Sequence, residues 1–482
     1  MPIAKPNILI IMADQLRRNA MGCYGDPNVH TPNIDRLANE GVRFANACST
    51  YPICVPFRFT FMTGQTAQSR GVSAIGDRLS PAERTLADAF NEDGYHTAYL
   101  GKWHLDGGKG GYVPWGGGMT AVYKPIPKSR QGRWEKWFVT AGHAPGAKKT
   151  GHSDMFYFED EAPAKQVMGY QTDVLFDKTM DYLKNDRPKD KPFCAVLSFS
   201  PPHHPYSAPE EYEARWRDRE LTLPENFMVS PEYPVPLPTS WGDEAWPKDR
   251  EVVLAKLRTY YAMIENADDN VGRMLDFLEK EGLADNTVIL FTSDHGEMGG
   301  AHSLAIQAKS YPFEESAGIP LLIRDPRTKA LKGEVLQPPT CTEDFFPTLC
   351  GLAGVPTGVG VPGTDLTPLV HGETTELDRP GVMLMATHDC RPGFTFHTPY
   401  YRAFRSERYM YATLGDARGC EPWVFFDLEN DPCERNNLVD SEEHRELVAQ
   451  HHRWLLDEMI RQEDNQSMKP ALGCEGLYYI EQ

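Results

Sequence analysis

The sequence predicts an α/β protein in which a large mixed, mainly parallel sheet is sandwiched by helices, followed by a small C-terminal antiparallel-sheet lobe with a terminal helix. Two observations predict the large sheet. Its strands, such as residues 7–12, are apolar along nearly their whole length, as in strands buried on both faces, and helical segments alternate with them. A third observation separates the two parts, because residues 355–373 carry repeated Gly and Pro.

The predicted elements follow one another in order. The Thr31-Pro32 pair starts a helix that runs to Glu40, because Thr and Pro are typical of the first helical positions. The other elements of the large part are a helix over 85–92, a strand over 95–100, a strand over 193–199, a long amphipathic helix over about 254–281 and a strand over 287–292. In the small lobe, residues 381–414 and 423–427 have strand character and residues 444–461 form the terminal helix. We therefore predict an N-terminal domain over 1–375, which carries the site described below, and a C-terminal α+β subdomain over 376–482.

Residues 107–169 interrupt this pattern. They are rich in Gly, Lys and aromatic residues and show little periodicity. A long excursion of this kind in an α/β domain is more often a substrate-binding insertion than a linker, and we predict such an insertion here.

The charge of the chain disfavours two classes of partner. The chain has 49 Lys and Arg against 68 Asp and Glu, a net charge of −19, which disfavours nucleic acid and anionic membranes at long range. The same field repels anionic substrates, so any anion site must be locally positive.

No apolar run is long enough to span a bilayer, and no secretory signal layout is visible. We expect a cytoplasmic protein as the sequence stands, or a periplasmic one if a signal peptide was removed, and a homo-oligomer is compatible with the sequence.

The ten cysteines are scattered along the 482 residues without a Cys-x-x-Cys pair. This spacing is not that of a small disulfide framework, so we predict reduced, mostly buried thiols for nine of them. Cys54 stands apart because Cys54-Val55-Pro56-Phe57-Arg58 has the spacing Cys-x-Pro-x-Arg that maturation enzymes recognise when they oxidise a cysteine to formylglycine. Taken alone, this pentapeptide has a structural alternative, a loop cysteine beside a turn proline.

Polar side chains follow the predicted strands at their carboxyl ends, the edge at which open α/β sheets bind ligands. Asp14 and Gln15 follow the first strand, and Asp294 and His295 follow the strand over 287–292. Two carboxylates and an amide oxygen suit Ca²⁺ or Mg²⁺. Each residue also has a structural alternative: Asp14 as a helix cap, the segment around Asp294 as a plain turn, and His295 as a hydrogen-bonded structural histidine.

Four basic side chains could supply the positive charge that an anion site needs here. Lys102 and His104 follow the strand over 95–100, His203 follows the strand over 193–199, and Lys309 lies further along the chain. Such side chains can bind the oxygens of an anion and donate a proton to a leaving alcohol. In the structural alternative the two lysines are solvated surface charges. The chain has neither a phosphate-binding Gly-Lys-Ser/Thr loop nor a Gly-x-Ser-x-Gly elbow, so nucleotide binding and serine hydrolysis are unsupported.

Short motifs occur in a fixed order along nearly the whole chain. They are Asn7-Ile8-Leu9 leading to Asp14, Thr31-Pro32-Asn33-Ile34-Asp35, Cys54 to Arg58 followed by Met62-Thr63-Gly64, Gly101-Lys102-Trp103-His104, Pro202-His203-His204-Pro205, Ser293-Asp294-His295-Gly296, His302 with Lys309, Phe346-Pro347-Thr348-Leu349, Arg405-Ser406-Glu407-Arg408-Tyr409 and Asp427-Leu428-Glu429-Asn430-Asp431-Pro432. With these motifs the chain closely resembles the type I sulfatases of the alkaline phosphatase superfamily, which depend on formylglycine and bind Ca²⁺.

The resemblance implies a chemical route through a modified residue. Cys54 is converted to formylglycine (3-oxoalanine) by a formylglycine-generating maturation enzyme. One hydroxyl of the aldehyde hydrate, deprotonated with help from Asp294 and the metal, attacks sulfur and displaces the alcohol. The second hydroxyl then expels sulfate and restores the aldehyde.

The resemblance also implies roles for the surrounding residues. Arg58 orients the hydrate with its planar charged fork. One Ca²⁺ ion, rather than Mg²⁺ or Mn²⁺, is held by Asp14, Gln15, Asp294, His295 and residue 54. The sulfate is bound by Lys102, His104, His203 and Lys309, and either His203 or Lys309 protonates the leaving oxygen.

Two positions depart from the family pattern. Gln15 stands where many members have a second Asp, which removes one formal charge from the metal site and is also seen in relatives acting on phosphonate or phosphate esters. Phe57 occupies a position that is often a small hydroxyl residue, which bears on the efficiency of maturation.

We therefore predict a sulfuric ester hydrolase that acts on sulfate monoesters of a carbohydrate. We infer a carbohydrate substrate from aromatic side chains and Arg guanidinium groups, which suit sulfated or uronic sugars. In the structural alternative these residues simply pack the insertion. The candidate substrate residues are His302, Trp115, Arg130, Arg133, Trp134 and Trp137, with His388, Arg391 and His397 from the small lobe. Two other functions stay open: a phosphonate monoester or phosphodiester hydrolase on the same fold, and a non-catalytic carbohydrate-binding relative.

Overall fold

Two of the three sheets among the described residues, the ten-stranded and the four-stranded one, organise the molecule. The computed structural model describes residues 5–106, 125–142, 151–235, 249–328, 331–387, 399–416, 419–464 and 468. Across these residues the predicted fold class is confirmed: a ten-stranded sheet lies between helices, and a four-stranded antiparallel sheet near the C-terminus is followed by a helix.

The bounds of the strands and helices are as follows. The strands are β1 (Asn7–Asp14), β2 (Val42–Phe44), β3 (Ala47–Cys48), β4 (His96–Gly101), β5 (Lys136–Gly142), β6 (Phe156–Glu159), β7 (Lys165–Gln166), β8 (Phe193–Pro202), β9 (Thr287–Ser293), β10 (Leu321–Arg324), β11 (Glu334–Leu336), β12 (Thr340–Cys341), β13 (Gly381–Ala386), β14 (Tyr400–Ser406), β15 (Tyr409–Asp416) and β16 (Gly419–Asp427). The helices are α1 (Pro32–Glu40), α2 (Cys54–Thr63), α3 (Leu86–Glu92), α4 (Gln171–Asp181), α5 (Glu210–Trp216), α6 (Arg250–Lys280), α7 (Glu314–Ala317), α8 (Phe345–Ala353), α9 (Thr367–Val370) and α10 (Arg445–Arg461).

Parallel strands form the centre of the large sheet, in the order β9-β1-β8-β4-β5. Strand β10 pairs antiparallel with β9 on one side, and β6 pairs antiparallel with β5 on the other, so the sheet is mixed. Because the central strands run in the same direction, their carboxyl ends lie along one edge of the sheet.

Strand β1 shows why the central strands are apolar. Ile8, Ile10 and Met12 pack into the hydrophobic core on one face of the sheet, and the alternate residues Leu9 and Ile11 pack into the core on the other face. Residues of α2, α3 and α8 belong to the first core, and residues of α1, α4, α5 and α6 belong to the second. A strand covered on both faces has no polar side, as the sequence predicts.

The small sheet shares a hydrophobic core with the first part of the chain. Strands β13, β14, β15 and β16 pair antiparallel in that order. Helix α10 contributes Val448 and Leu455 to the core beneath this sheet, and Tyr51 and Ile53, immediately before α2, belong to the same core. The small sheet therefore supports the chain segment that leads into Cys54.

Two segments are more regular in the structure than their sequences indicate. The described part of residues 107–169 contributes β5, β6 and β7 to the large sheet. In β5, Trp137 and Val139 pack into one core and Phe138 into the other, so the strand has no polar face to reveal a period of two. The Cys54 motif is also not a turn, because it forms the first turn of α2, where a proline costs no helical hydrogen bond. Residues 107–124 and 143–150 lie outside the described residues.

The thiols agree with the prediction within the described ranges. The eight cysteines there are free; Cys23 and Cys433 are half-buried and the others are buried. Cys390 and Cys474 lie outside the described residues. None of the described helices combines the length and the apolar character that a membrane crossing requires.

Candidate active site

Neighbouring strands bring polar side chains together at the carboxyl edge of the large sheet. Asp14 ends β1, and Asp294 follows the adjacent strand β9. Lys102 follows β4, and His203 follows β8, which lies between β1 and β4. Residues far apart in the sequence therefore meet because their strands are neighbours in the sheet.

Cys54 lies at the centre of this group, at the first residue of α2 and only 1% exposed. Its Sγ lies 3.2 Å from His295 Nε2, 3.6 Å from Lys309 Nζ, 3.8 Å from Lys102 Nζ and 3.8 Å from Asp14 Oδ1. Burial raises the pKa of this thiol, but Lys102 and Lys309 outweigh burial and hold the pKa well below its usual value. Position 54 is therefore a place where negative charge is stabilised.

Helix α2 is buried along its whole length, which fixes the position of its first residue. Phe57 stacks on Phe61 with ring centroids 6.3 Å apart and meets the edge of Phe345 at 6.2 Å. In the folded chain the unusual Phe57 is thus a core residue, and its aromatic contacts hold the helix start beneath the sheet edge.

Arg58 binds two carboxylates with one guanidinium. Its Nη2 donates to Asp14 Oδ2 at 3.0 Å and to Asp294 Oδ2 at 3.1 Å, while Nη1 donates to the Lys102 carbonyl at 2.9 Å and to the Ser198 hydroxyl at 2.8 Å. Arg58 thus binds each carboxylate through its Oδ2 atom. The Oδ1 atoms lie toward the centre of the site. While residue 54 is a cysteine, Arg58 supports its position indirectly, through the hydrogen bonds to Asp14 and Asp294.

The two carboxylates differ in their tendency to ionise. Burial and the Cys54 charge act to raise the pKa of Asp14, but the charges of Lys102 and Arg58 hold it well below its usual value, and Lys102 Nζ forms a direct ion pair with Asp14 Oδ2. Burial, reinforced by the charge of Asp14, raises the pKa of Asp294 to about 7. A divalent cation between the two carboxylates would relieve this repulsion.

Lys309 and His203 form one hydrogen-bonded unit. His203 Nδ1 lies 2.6 Å from the His204 carbonyl oxygen, a contact that an N–H must make, so Nδ1 carries the proton. Nε2 then accepts a hydrogen bond from Lys309 Nζ at 3.1 Å. Burial and the Lys309 charge lower the pKa of His203 to about 3, which keeps the ring neutral. Of the two acids predicted from the sequence, Lys309 therefore holds the available proton.

His104 follows Lys102 in a left-handed conformation, with φ of 58°. Burial and the Lys102 charge lower the pKa of His104 to about 4. The cations at the centre of the site therefore include Lys102, Lys309 and Arg58, whereas His104 serves as a neutral polar group.

Sequence reasoning missed Glu297, which fixes the side chain of Gln15. The Gln15 amide nitrogen donates to Glu297 Oε2 at 2.9 Å, and its Oε1 accepts from Lys309 Nζ at 2.9 Å. The Tyr206 hydroxyl also donates to Glu297 Oε2, at 3.0 Å, and burial raises the pKa of Glu297 to about 8. Because Glu297 Oε2 accepts from the amide nitrogen, the amide oxygen faces the site, where its second lone pair is available to a cation. The signal for Glu297 was its place two residues after His295.

Several predicted substrate residues do not line this group. The prediction for Trp134 is wrong, because its side chain is 0% exposed and packs in the core, with its ring 5.6 Å from that of Tyr99. Arg130 pairs with Asp106, and Arg133 pairs with Asp88. These described residues thus pack the insertion against the rest of the domain, which agrees with the packing alternative stated above.

His302 lies in a second buried group. Its Nε2 is 4.0 Å from Glu315 Oε2, and its ring stacks on Phe313 at 4.3 Å. Glu434 completes this group, whose ligand-type atoms lie within 4.8 Å of one another. The other candidate substrate residues, Trp115, His388, Arg391 and His397, lie outside the described residues.

The residues around Cys54 fit a divalent cation. One ligand-type atom each from Asp14, Cys54, Asp294 and His295 lies within 4.8 Å of the others, and all four residues are buried. Hard cations such as Ca²⁺ favour oxygen donors and avoid sulfur. The set therefore fits Ca²⁺ when position 54 presents oxygen, as a formylglycine hydrate does, with the Gln15 amide oxygen beside it.

Comparison with known proteins places most of the chain in one family. The sulfatase family profile matches residues 6–355, and a profile described as N-sulphoglucosamine sulphohydrolase, C-terminal, matches residues 303–462. An ulvan-active sulfatase of Formosa agariphila is 34% identical over 446 residues, covering 92% of this chain and 79% of the relative.

Solved structures share the fold. A protein solved in complex with its substrate D-glucosamine-2-N,6-O-disulfate superimposes with a TM-score of 0.80 at 23% identity, covering 96% of this chain and 99% of that one. The phosphonate monoester hydrolase of Agrobacterium radiobacter superimposes with a TM-score of 0.73 at 24% identity, covering 95% of this chain and 96% of that one. At these identities the superpositions establish the fold alone.

Proposed function

This chain belongs to the sulfatase family and is a sulfuric ester hydrolase, and on that premise we propose that it desulfates a saccharide with a formylglycine formed at Cys54 and a Ca²⁺ ion beside it. The observation that carries the proposal is the position of Cys54 Sγ, buried between two lysine ammonium groups and 3.2 Å from the imidazole of His295. A nucleophile that attacks a sulfate ester needs this combination of stabilised negative charge and nearby cations.

The ion-binding residues in the proposal are Asp14, Asp294 and His295, with residue 54 and the Gln15 amide oxygen. When bound, Ca²⁺ would lower the pKa of the attacking hydroxyl and stabilise charge on the sulfuryl oxygens. Arg58 holds the Oδ2 atoms of both carboxylates, so their Oδ1 atoms stay oriented toward the centre of the site.

Two covalent steps take place at residue 54. In the first, one hydroxyl of the hydrate gives its proton to Asp294 as its oxygen bonds to sulfur, the bond from sulfur to the ester oxygen breaks, and the alcohol leaves with a proton from Lys309. In the second, the remaining hydroxyl gives its proton to the neutral Lys309 amine, the carbon–oxygen bond to sulfate breaks, the aldehyde forms again and adds water, and Asp294 releases its proton to solvent. Lys309 is the proton donor to the leaving oxygen, because His203 is neutral with its one N–H bonded to the His204 carbonyl.

A saccharide is the proposed substrate class because the 34% identical relative is named for its activity on ulvan, and because a protein of the same fold binds D-glucosamine-2-N,6-O-disulfate. A screen of desulfation on saccharides of defined sulfate position tests this part. Release of sulfate from aryl sulfate but from none of the saccharides would contradict the saccharide assignment while leaving the sulfatase intact.

Conversion of Cys54 is tested by mass spectrometry of the tryptic peptide 44–58 from a host able to perform the maturation. We expect the aldehyde or its hydrate, and turnover of aryl sulfate. From a host without maturation we expect the thiol and turnover reduced by at least about 10⁴-fold. Equal turnover by the two preparations would overturn the formylglycine assignment.

The phosphonate alternative rests on the departure from the family pattern at Gln15, and comparing turnover of aryl sulfate and aryl phosphonate tests it. The phosphonate monoester hydrolase shares only the fold at 24% identity. We expect kcat/KM for aryl sulfate to exceed that for aryl phosphonate, and the reverse order would favour the alternative. The non-catalytic alternative requires saccharide binding without hydrolysis in a chain with confirmed formylglycine.

A further inference from the structure

With its thiol in place, Cys54 gives the site a different donor set from the one that Ca²⁺ favours. The set is one thiol sulfur, one imidazole nitrogen and two carboxylate oxygens, from Cys54, His295, Asp14 and Asp294. Four donors of these kinds are characteristic of tetrahedral Zn²⁺, whereas Ca²⁺ takes six to eight oxygen donors.

The distances between the donor atoms suit a tetrahedron. Cys54 Sγ lies 3.2 Å from His295 Nε2 and 3.8 Å from Asp14 Oδ1, and His295 Nε2 lies 3.5 Å from Asp294 Oδ1. With Zn–S of about 2.3 Å and Zn–N or Zn–O of about 2.0–2.1 Å, tetrahedral donors are about 3.3–3.6 Å apart. These three separations bracket this value, and the other donor pairs lie within 4.8 Å of one another, so Zn²⁺ binding would draw those pairs together.

Hydrogen bonds behind the donors already orient them for a metal. His295 Nδ1 lies 2.9 Å from the Gly296 carbonyl oxygen, which requires an N–H at Nδ1 and directs Nε2 toward Cys54. Arg58 binds the Oδ2 atoms of Asp14 and Asp294, which leaves their Oδ1 atoms to the centre. These contacts are the kind of outer support that a metal-binding histidine and its carboxylates need.

The nearby lysines do not displace this arrangement. Lys102 Nζ is paired with Asp14 Oδ2, the oxygen that is not a donor in the proposed set. Lys309 Nζ donates to Gln15 Oε1 and His203 Nε2. Each ammonium group also lies close to Cys54 Sγ, at 3.6 Å for Lys309 and 3.8 Å for Lys102, so both would remain beside a metal-bound sulfur while keeping their partners outside the four donor atoms.

We propose that the folded chain in which Cys54 is still a thiol binds Zn²⁺ at this site through Cys54, His295, Asp14 and Asp294, and that conversion of Cys54 changes the site from one selective for thiophilic metals to one selective for Ca²⁺. This inference shares its residues with the proposed function but concerns the unconverted chain. On Zn²⁺ binding, sulfur bonds to the metal and the proton held between Cys54 and His295 passes to solvent.

Cobalt spectroscopy tests the inference, because Co²⁺ replaces Zn²⁺ in tetrahedral sites and shows a near-ultraviolet thiolate-to-cobalt charge-transfer band. The protein is the full chain from a host without the maturation enzyme, and the probes are Co²⁺ and Zn²⁺ alone. We expect one equivalent of Co²⁺ to produce the band, Zn²⁺ to remove it, and C54S to lack it. We also expect C54S to bind Zn²⁺ at least about 100-fold more weakly than the Cys54 chain.

Two controls keep the result interpretable. C433S removes a half-buried thiol outside the site and should leave the band and the Zn²⁺ affinity unchanged. H295A should weaken Zn²⁺ binding while the circular dichroism spectrum stays that of the folded chain, and C54A replaces C54S if the serine variant fails to fold. A band that survives in C54S or disappears in C433S would overturn the inference. Neither result bears on turnover by the converted enzyme, so the proposed function is judged separately.

Discussion

Two buried groups in this protein contain nearly the same residue types. The Cys54 group consists of Asp14, Cys54, Asp294 and His295, and the His302 group consists of His302, Glu315 and Glu434. In each group the ligand-type atoms lie within 4.8 Å of one another. Residue type and spacing therefore do not distinguish them.

The difference lies in the surrounding charge. The Cys54 group is in contact with the cations Arg58, Lys102 and Lys309, so its acidic groups have ionic partners. At the edge of the His302 group, Arg18 and Arg405 bind Glu314.

In the His302 group a raised pKa favours the protonated form of one acid, Glu434. Burial, together with the charges of Glu315 and Glu314, raises the pKa of Glu434 well above its usual value, and burial lowers the pKa of His302. The Asn226 amide donates to Glu315 at 2.8 Å and the Tyr233 hydroxyl donates to the Glu434 carbonyl at 3.0 Å. The two groups therefore differ in what accompanies their ligand-type residues: three cations contact the Cys54 group, whereas in the His302 group a raised pKa favours the protonated form of Glu434.

Removing the central cation of the Cys54 group has the largest expected effect. R58A leaves Asp14 and Asp294 buried without their shared partner, so we expect kcat/KM on aryl sulfate to fall by about 10³-fold and stability to fall by about 3–5 kcal/mol. R58K restores a charge but not the two-pronged fork, so it should recover stability more than activity. Thermal unfolding and steady-state kinetics measure the two effects.

R408A is the matched control, because Arg408 also pairs with an aspartate, Asp427, but is 43% exposed. We expect little change in Tm and none in kcat/KM. If R58A behaved like R408A, the contrast between ionic and structural groups drawn above would be wrong.

Lys309 tests which residue donates the proton. K309A removes the ammonium that lies 3.1 Å from His203 Nε2, and we expect kcat to fall by about 10²–10⁴-fold. The loss should be greater for a saccharide sulfate than for an aryl sulfate with an acidic phenol, since a good leaving group needs less protonation. The same loss for both substrates would show that Lys309 binds the sulfate without donating a proton.

Glu297 tests whether the Cys54 group depends on its outer contacts. E297A removes the acceptor that holds the Gln15 amide nitrogen, so the amide can rotate and Lys309 loses its oxygen partner. We expect kcat/KM to fall by about 10–100-fold and Ca²⁺ affinity to fall with it.

E297Q keeps an oxygen acceptor and should recover most of this loss. Y206F removes one donor to Glu297 but leaves the carboxylate in place, so its effect should be smaller than that of E297A. A loss of stability in E297A without any change in Ca²⁺ affinity would assign Glu297 a purely structural role.

These groups also show what the sequence can and cannot predict. Asp14, Lys102, His203 and Asp294 were predictable because each lies at or just after the end of an apolar strand, and parallel strands end at one edge. The partners of Arg58, the tautomer of His203 and the role of Glu297 depend on side-chain contacts across the sheet.

Burial on both faces of the large sheet explains why the strand that holds Trp137 and the side chain of Trp134 were misjudged from the sequence. The strand that holds Trp137 lacks a polar face, so its sequence resembles an irregular aromatic segment, and the buried Trp134 beside it resembles a sugar-binding residue. Aromatic composition alone does not distinguish a core from a binding surface.

E434Q has the smallest expected effect and tests the structural side of the comparison. If Glu434 holds a proton, an amide replaces it with little change, so kcat/KM should change by less than about twofold. The folded chain holds this proton more tightly than the unfolded chain, whose carboxyl has an ordinary pKa of 4.5, so the wild type loses stability as pH rises above 4.5. Tm measured against pH should therefore fall less steeply in E434Q than in the wild type.

The same acid-to-amide exchange separates the two groups directly. In D294N the amide cannot provide the charge that accompanies Arg58 and His295, so activity should fall by at least about 10²–10³-fold while E434Q stays active. Parallel pH profiles of Tm for E434Q and the wild type would mean that Glu434 is ionised in the folded chain. The His302 group would then need a cation of its own, and the distinction between a chemical and a structural group of buried acids would no longer hold for this protein.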